Sequence, residues 1–177
     1  MNISLPRLKA LASSVHYFQG REMRVINRNS RSVPGALLSE VVTLAREIHQ
    51  LVRGGSTAPM SEYTDGRCCF AAEKMAFHIY ENKTKGMVGD LARGTNVPGS
   101  SGRDKNFNGL HYLSLLRLPN EVLAVDVTAA QLKGENSNFK NTEVLIVVGS
   151  DETILSEVTA VYHGGWWQTI PFGSLLR

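Results

Sequence analysis

Residues 111–132 read HYLSLLRLPNEVLAVDVTAAQL, and this stretch decides the fold class. Two runs rich in aliphatic and β-branched residues, 111–118 and 121–127, flank the turn-forming pair Pro119-Asn120. The pattern predicts a hairpin. Further strand-like runs follow at 143–149 (EVLIVVG), 157–163 (EVTAVYH) and 166–170 (WWQTI). Upstream of residue 111 the period changes. After Pro34, residues Leu37, Leu38, Val41, Val42, Leu44, Ala45 and Ile48 fall on one side of a helix, which Gly54-Gly55 ends. CCFAAEKMAFHIYEN, residues 68–82, predicts a second helix. Helices followed by strands give an α+β layout, with the helices packed on an antiparallel sheet.

Two segments fall outside these periods. Residues 83–109 are polar and glycine-rich and read as a long loop, a length that inside a domain implies a function or disorder. Residues 1–33 read as a poorly structured leader with a short helix near residues 6–16, and residues 34–177 as the folded domain. Residues 1–53 carry eight Lys or Arg against three acids, and the rest of the chain eleven against thirteen. Without interleaved aromatic residues, that basic head reads as a solvated leader and not as a nucleic-acid surface.

With 177 residues, 42% hydrophobic and 20% charged, the composition is that of a globular chain able to bury a core. No apolar run approaches membrane-span length, so no membrane insertion is expected. The first residues, MNISLPRLKALASSVHYF, hold no unbroken apolar stretch of signal-peptide length. The two cysteines are adjacent and cannot close a long loop, which excludes a disulfide scaffold and favours a reducing compartment. CxxC, HExxH, GxGxxG and GxxxxGK[ST] are absent from the sequence, so neither a metal nor a nucleotide cofactor is expected.

Chemistry points to the start of the second helix. Gly66-Arg67-Cys68 places a thiol where unpaired backbone N–H groups lower its pKa and can hold an oxyanion. From Cys68, the residues three and four apart are Ala71, Ala72, Met75, Ala76 and Ile79, all apolar, whereas the Cys69 face includes Glu73. Periodicity therefore favours Cys68 as a nucleophile facing the interior, with Cys69 as the alternative. His111 and Asp126 lie fifteen residues apart across the hairpin. A loop centred on Pro119-Asn120 sets Asp126 opposite Leu113 and on the same face as His111, where a carboxylate can orient an imidazole. A slip of one residue would put them on opposite faces. The competing reading makes Cys68 and Cys69 inert core residues and has Asp126 capping a turn near Thr128.

Cys at a helix start, His about forty residues later and Asp fifteen beyond it resembles the papain-like deamidase domains of dermonecrotic and mitogenic bacterial toxins and related type III effectors. The matching segments are GRCCFAAEKMAF and HYLSLLRLPNEVLAVDVTAAQL, the second closing in Asp-x-Thr-Ala-x-Gln; together they cover about residues 60–170. The resemblance implies a papain-like cysteine hydrolase fold and a triad of Cys68, His111 and Asp126. It implies deamidation of glutamine on a host or target-cell signalling protein through a thioester, without cofactor or metal. It further implies a monomeric effector, secreted without a classical signal peptide and acting in the host or target-cell cytoplasm. The oxyanion would rest on the Cys68 backbone N–H and a donor from residues 61–67. The doubled cysteine departs from the usual single G-x-C and keeps Cys69 open as nucleophile. Proteolysis and acyl or glutamyl transfer use the same triad, and a protein-binding module uses none of it.

Overall fold

The computed structural model describes residues 14–18, 21–82, 87–100 and 109–172. Its elements are β1 (Ser14–Phe18), β2 (Arg21–Ile26), α1 (Gly35–Arg53), α2 (Met60–Tyr63), α3 (Cys68–Asn82), β3 (Val88–Thr95), β4 (His111–Arg117), β5 (Val122–Asp126), β6 (Thr142–Gly149), α4 (Ile154–Val161) and β7 (Trp166–Ile170), with 3₁₀ turns at Ala129–Gln131 and Gly134–Phe139. The architecture is α+β, built on one seven-stranded sheet in the order β1-β2-β6-β5-β4-β3-β7.

The hairpin forms in the expected register. Ser114 pairs with Val125 and Arg117 with Val122, which continues to Leu113 opposite Asp126. The sheet is not wholly antiparallel, because β2 runs parallel to β6. The chain between them supplies the crossover that a parallel pair requires.

Helices α1 and α3 cover one face of the sheet, where Leu38, Val41, Met75 and Ile79 meet Leu116, Leu123, Val125 and Ile146. Helix α4 covers the other face, where Ile154, Val158 and Tyr162 meet Leu113, Ala124 and Leu145. Helix α1 starts after Pro34, whose carbonyl accepts the Leu38 N–H, and stops at Gly54 in the left-handed conformation.

Three expectations are corrected. Residues 14–18 and 21–26 are strands and not a leader: β2 joins the sheet, and Val25 and Val33 are buried in the core. The register of β2 shifts between Glu22 and Met23, so its buried residues, Glu22 and Val25, do not alternate with period two. The short helix expected near residues 6–16 falls mostly outside the described residues, and residues 14–16 of it are strand.

The second correction concerns residues 157–163, expected as a strand, because residues 154–161 form helix α4. Their β-branched content suggests a strand, but Ile154, Val158 and Val161 are spaced four and three apart and all bury one helical face.

The third is β3, which occupies part of the expected long loop. Its Gly94 answers a packing demand: a Cβ there would lie 2.6 Å from Val97 Cγ2 and 2.9 Å from the Trp167 ring. Among the described residues no helix is long and apolar enough to cross a membrane.

Candidate active site

The nucleophile end is set by a turn. Gly66 takes a positive φ of 69°, open to glycine at little cost, and turns the chain into α3 at Cys68. The Arg67 carbonyl accepts the Ala71 N–H at 3.0 Å, which leaves the N–H groups of the first helical turn free of intrahelical partners. Cys68 is buried, with Ala71, Ala72, Met75, Ala76 and Ile79 behind it on the same face. Cys69 points aside, its thiol 3.5 Å from Glu73 Oε1.

His111 opens β4 and Asp126 closes β5. His111 Nε2 lies 2.6 Å from Asp126 Oδ2, with the ring wholly buried. A carboxylate only accepts, so Nε2 carries a proton and Nδ1 faces the other way. On that side stand the Cys68 thiol, which His111 hydrogen-bonds, and the Gln131 amide nitrogen at 3.3 Å. The structure therefore brings Cys68, His111 and Asp126 into one chain of contacts and leaves Cys69 outside it.

Asp126 serves two functions with two oxygens. Oδ1 accepts from the Thr128 N–H at 2.7 Å and its hydroxyl at 2.9 Å, which is the turn cap. Oδ2 accepts from His111 and from the Tyr162 hydroxyl, the latter at 2.6 Å. The cap and the imidazole partner, alternatives in the sequence, are both present.

The electrostatics follow from these contacts. Burial alone would raise the Asp126 pKa, but the His111 charge and the hydrogen bonds from His111, Tyr162 and Thr128 bring it below its ordinary value. Burial alone would lower His111, and the Asp126 carboxylate overrides it, raising His111 to about 10. Burial would raise the Cys68 thiol, and the His111 ring with the Tyr112 backbone N–H reverses this and lowers it. Cys69 goes the other way, driven to about 12 by burial and by Glu73. Of the two neighbouring thiols, only Cys68 is biased toward thiolate.

Three residues of the site went unassigned in the sequence. Gln131 Oε1 accepts the Gly66 N–H at 3.0 Å, so its amide group is oriented by the same loop that carries Cys68. That bond occupies the Gly66 N–H and sets the Gln131 amide nitrogen against His111 Nδ1 at 3.3 Å. The signal was present, because Gln131 ends Asp-x-Thr-Ala-x-Gln, whose spacing sets a 3₁₀ turn after β5. Tyr162 stands at the end of α4, an element read as a strand, so its approach to Asp126 was hidden. Trp167 packs its indole edge-on to His111, with ring centroids 6.3 Å apart, across the space that Gly94 leaves open.

Among the described residues no group of three or more His, Cys, Asp or Glu is arranged to hold a metal ion. In comparisons with protein-family models, curated proteins and solved structures, nothing matches this chain.

Proposed function

We propose that the chain is a papain-like cysteine hydrolase that deamidates glutamine side chains of a protein substrate. The observation that carries this reading is the relay from Asp126 through His111 to a thiol at a helix N-terminus, with Nε2 on the carboxylate and Nδ1 toward the sulfur. The Cys68 thiolate attacks the carboxamide carbon, and the carbonyl electron pair moves onto oxygen. Gln131 Nε2 and the Cys68 backbone N–H stabilise that oxyanion. The His111 proton passes to the leaving nitrogen, ammonia departs and a thioester remains. Water then adds as His111 takes its proton, and collapse releases a carboxylate and restores the thiol.

Burial supports deamidation over proteolysis. Cys68 is 9% exposed and His111 0%, so a slender side-chain tip reaches the thiol more readily than a peptide backbone lying across it. The assignment to effectors that enter a host or target cell rests on the sequence resemblance. The test is to incubate the protein, and its Cys68→Ala variant, with glutamine-bearing proteins from candidate target cells and to measure masses. A gain of about one dalton on a glutamine, absent with the variant, is the expected result. Fragments would identify a protease, an amine adduct a transferase, and unchanged masses would remove the hydrolase reading.

A further inference from the structure

The sheet continues from the nucleophile through β4 and β3 to the edge strand β7. Tyr112, Arg93 and Gln168 pair in register across these strands. The row starts at the site, because the Tyr112 backbone N–H hydrogen-bonds the Cys68 sulfur. It moves outward by about 4.8 Å per strand, so Gln168 stands roughly 10 Å from Tyr112.

Arg93 occupies the middle of the row. It hydrogen-bonds the Tyr112 phenol, and with the Gln168 amide turned to satisfy both groups, its Nε donates to the Gln168 oxygen at 3.1 Å and its Nη2 donates as well. Both partners are neutral. Four other partly buried arginines, Arg21, Arg24, Arg46 and Arg117, each pair with a carboxylate, whereas no described carboxylate pairs with Arg93; Arg31 and Arg53 bond backbone carbonyls. Arg93 lines a cleft of about 380 Å³ together with Thr95, Asn96, Trp166, Trp167 and Gln168. Trp166 is 80% exposed there, a large apolar surface left open beside a cation held by neutral groups.

We propose that this cleft is the substrate subsite beside the nucleophile and that Arg93 binds an acidic side chain within about three residues of the attacked carboxamide, on a segment extended at about 3.3 Å per residue. Trp166 provides the apolar floor for that segment, and the guanidinium provides selection by charge. This rests on the reading of Cys68 as nucleophile and adds the chemistry of the substrate that reaches it.

The probe is a pair of peptides in which the glutamine is replaced by a chloroacetamide-bearing residue, one flanked by glutamates and one by glutamines. Alkylation of Cys68 is followed by mass. The acidic peptide is expected to react faster by about tenfold at low salt, with the preference fading as salt screens it. Arg93→Gln brings the ratio of the two rates to about one, and Arg93→Glu turns the preference toward a lysine-flanked peptide. A ratio of one in the wild type, or a preference that survives Arg93→Gln, overturns the proposal and leaves the nucleophile standing. Free chloroacetamide separates the two ideas: if it fails to label Cys68 in the wild type, the nucleophile reading falls and the subsite with it. Tryptophan fluorescence of the Cys68→Ala variant gives a second readout without chemistry. Quenching by the acidic peptide that Arg93→Gln removes supports the subsite, whereas quenching by a single-stranded oligonucleotide alone overturns it in favour of nucleic acid.

Discussion

Two histidines are fully buried in this protein, and their surroundings push them in opposite directions. His49, on α1, places Nδ1 2.8 Å from the Val127 carbonyl and Nε2 2.7 Å from the Tyr63 hydroxyl. A carbonyl only accepts, so Nδ1 carries the proton, Nε2 accepts from Tyr63, and the ring is held neutral. Burial lowers its pKa, and the Val127 carbonyl offsets only part of that. His111 is equally buried but faces a carboxylate, and it rises to about 10. Burial is common to both, and the charge on the partner decides the outcome. His49 ties α1 to the end of α2, just before the turn that leads to Cys68, and to the residue after Asp126, so the neutral ring holds in place what the charged ring uses.

The largest effect expected from breaking this contrast is at the charged end. Cys68→Ala should abolish turnover and, with it, the ultraviolet thiolate absorbance of the wild type at neutral pH. A variant that keeps that absorbance would move the thiolate to Cys69. Gln131→Ala should lower turnover by about a hundred- to a thousandfold through loss of an oxyanion donor, with thiolate absorbance retained. An unchanged rate constant for chemistry in single-turnover measurements would remove Gln131 from that role.

Asp126→Asn should lower turnover by about ten- to a thousandfold, less than the equivalent change in a Ser-His-Asp enzyme, because a thiolate–imidazolium pair already holds its proton on the ring. Asn keeps one oxygen, which can stay on the Thr128 cap while its NH₂ replaces the oxygen facing His111 and Tyr162. Melting temperature and turnover measured on the same sample separate the two oxygens: a folded variant with normal turnover would reduce Asp126 to a turn cap.

At the neutral end the readout is stability against pH. His49 is lowered from 6.5, so the folded state resists protonation while the unfolded chain accepts it. Its contribution is present above pH 6.5 and is lost as pH falls through the folded value. His49→Gln should cost about 1–3 kcal/mol near pH 8, and the gap to wild type in urea unfolding should narrow as pH falls. His111 has the opposite sign. Raised from 6.5 to about 10, it contributes fully below pH 6.5 and loses that contribution as pH rises through 10. A gap for His49→Gln that widens in acid would contradict the neutral assignment. The smallest effect is expected from Cys69→Ala, whose thiol touches Glu73 and no member of the triad: turnover should stay within about twofold, given how little isolated surface substitutions change.

The hairpin was legible because period two and a Pro-Asn turn specify both register and face, and with them the His111–Asp126 pairing. The inward face of α3 was legible because Cys68 heads an apolar stripe while Cys69 shares its face with Glu73. What escaped were elements whose local signal conflicts with their surroundings. The bulge in β2 breaks alternation, and Glu22, buried against Arg24 and Thr142, resembles surface in a sequence. The β-branched residues of α4 suggest a strand, and only packing on β5 and β6 makes them helical, so Tyr162 could not be placed. Gly94 suggests a loop because nothing local records that an indole needs its space.

The parallel pairing of β2 with β6 has a consequence for how the molecule is made. Residues 21–26 leave the ribosome well before their partner at 142–149. Closing so long a loop is slow, although its entropic cost grows only as the logarithm of its length. Until then β2 has only β1 beside it. Asp126 also stays short of one hydrogen bond until Tyr162 emerges. The growing chain thus carries its thiol well before it carries His111, Asp126 and Tyr162, and the charged relay is complete only once all of them have emerged.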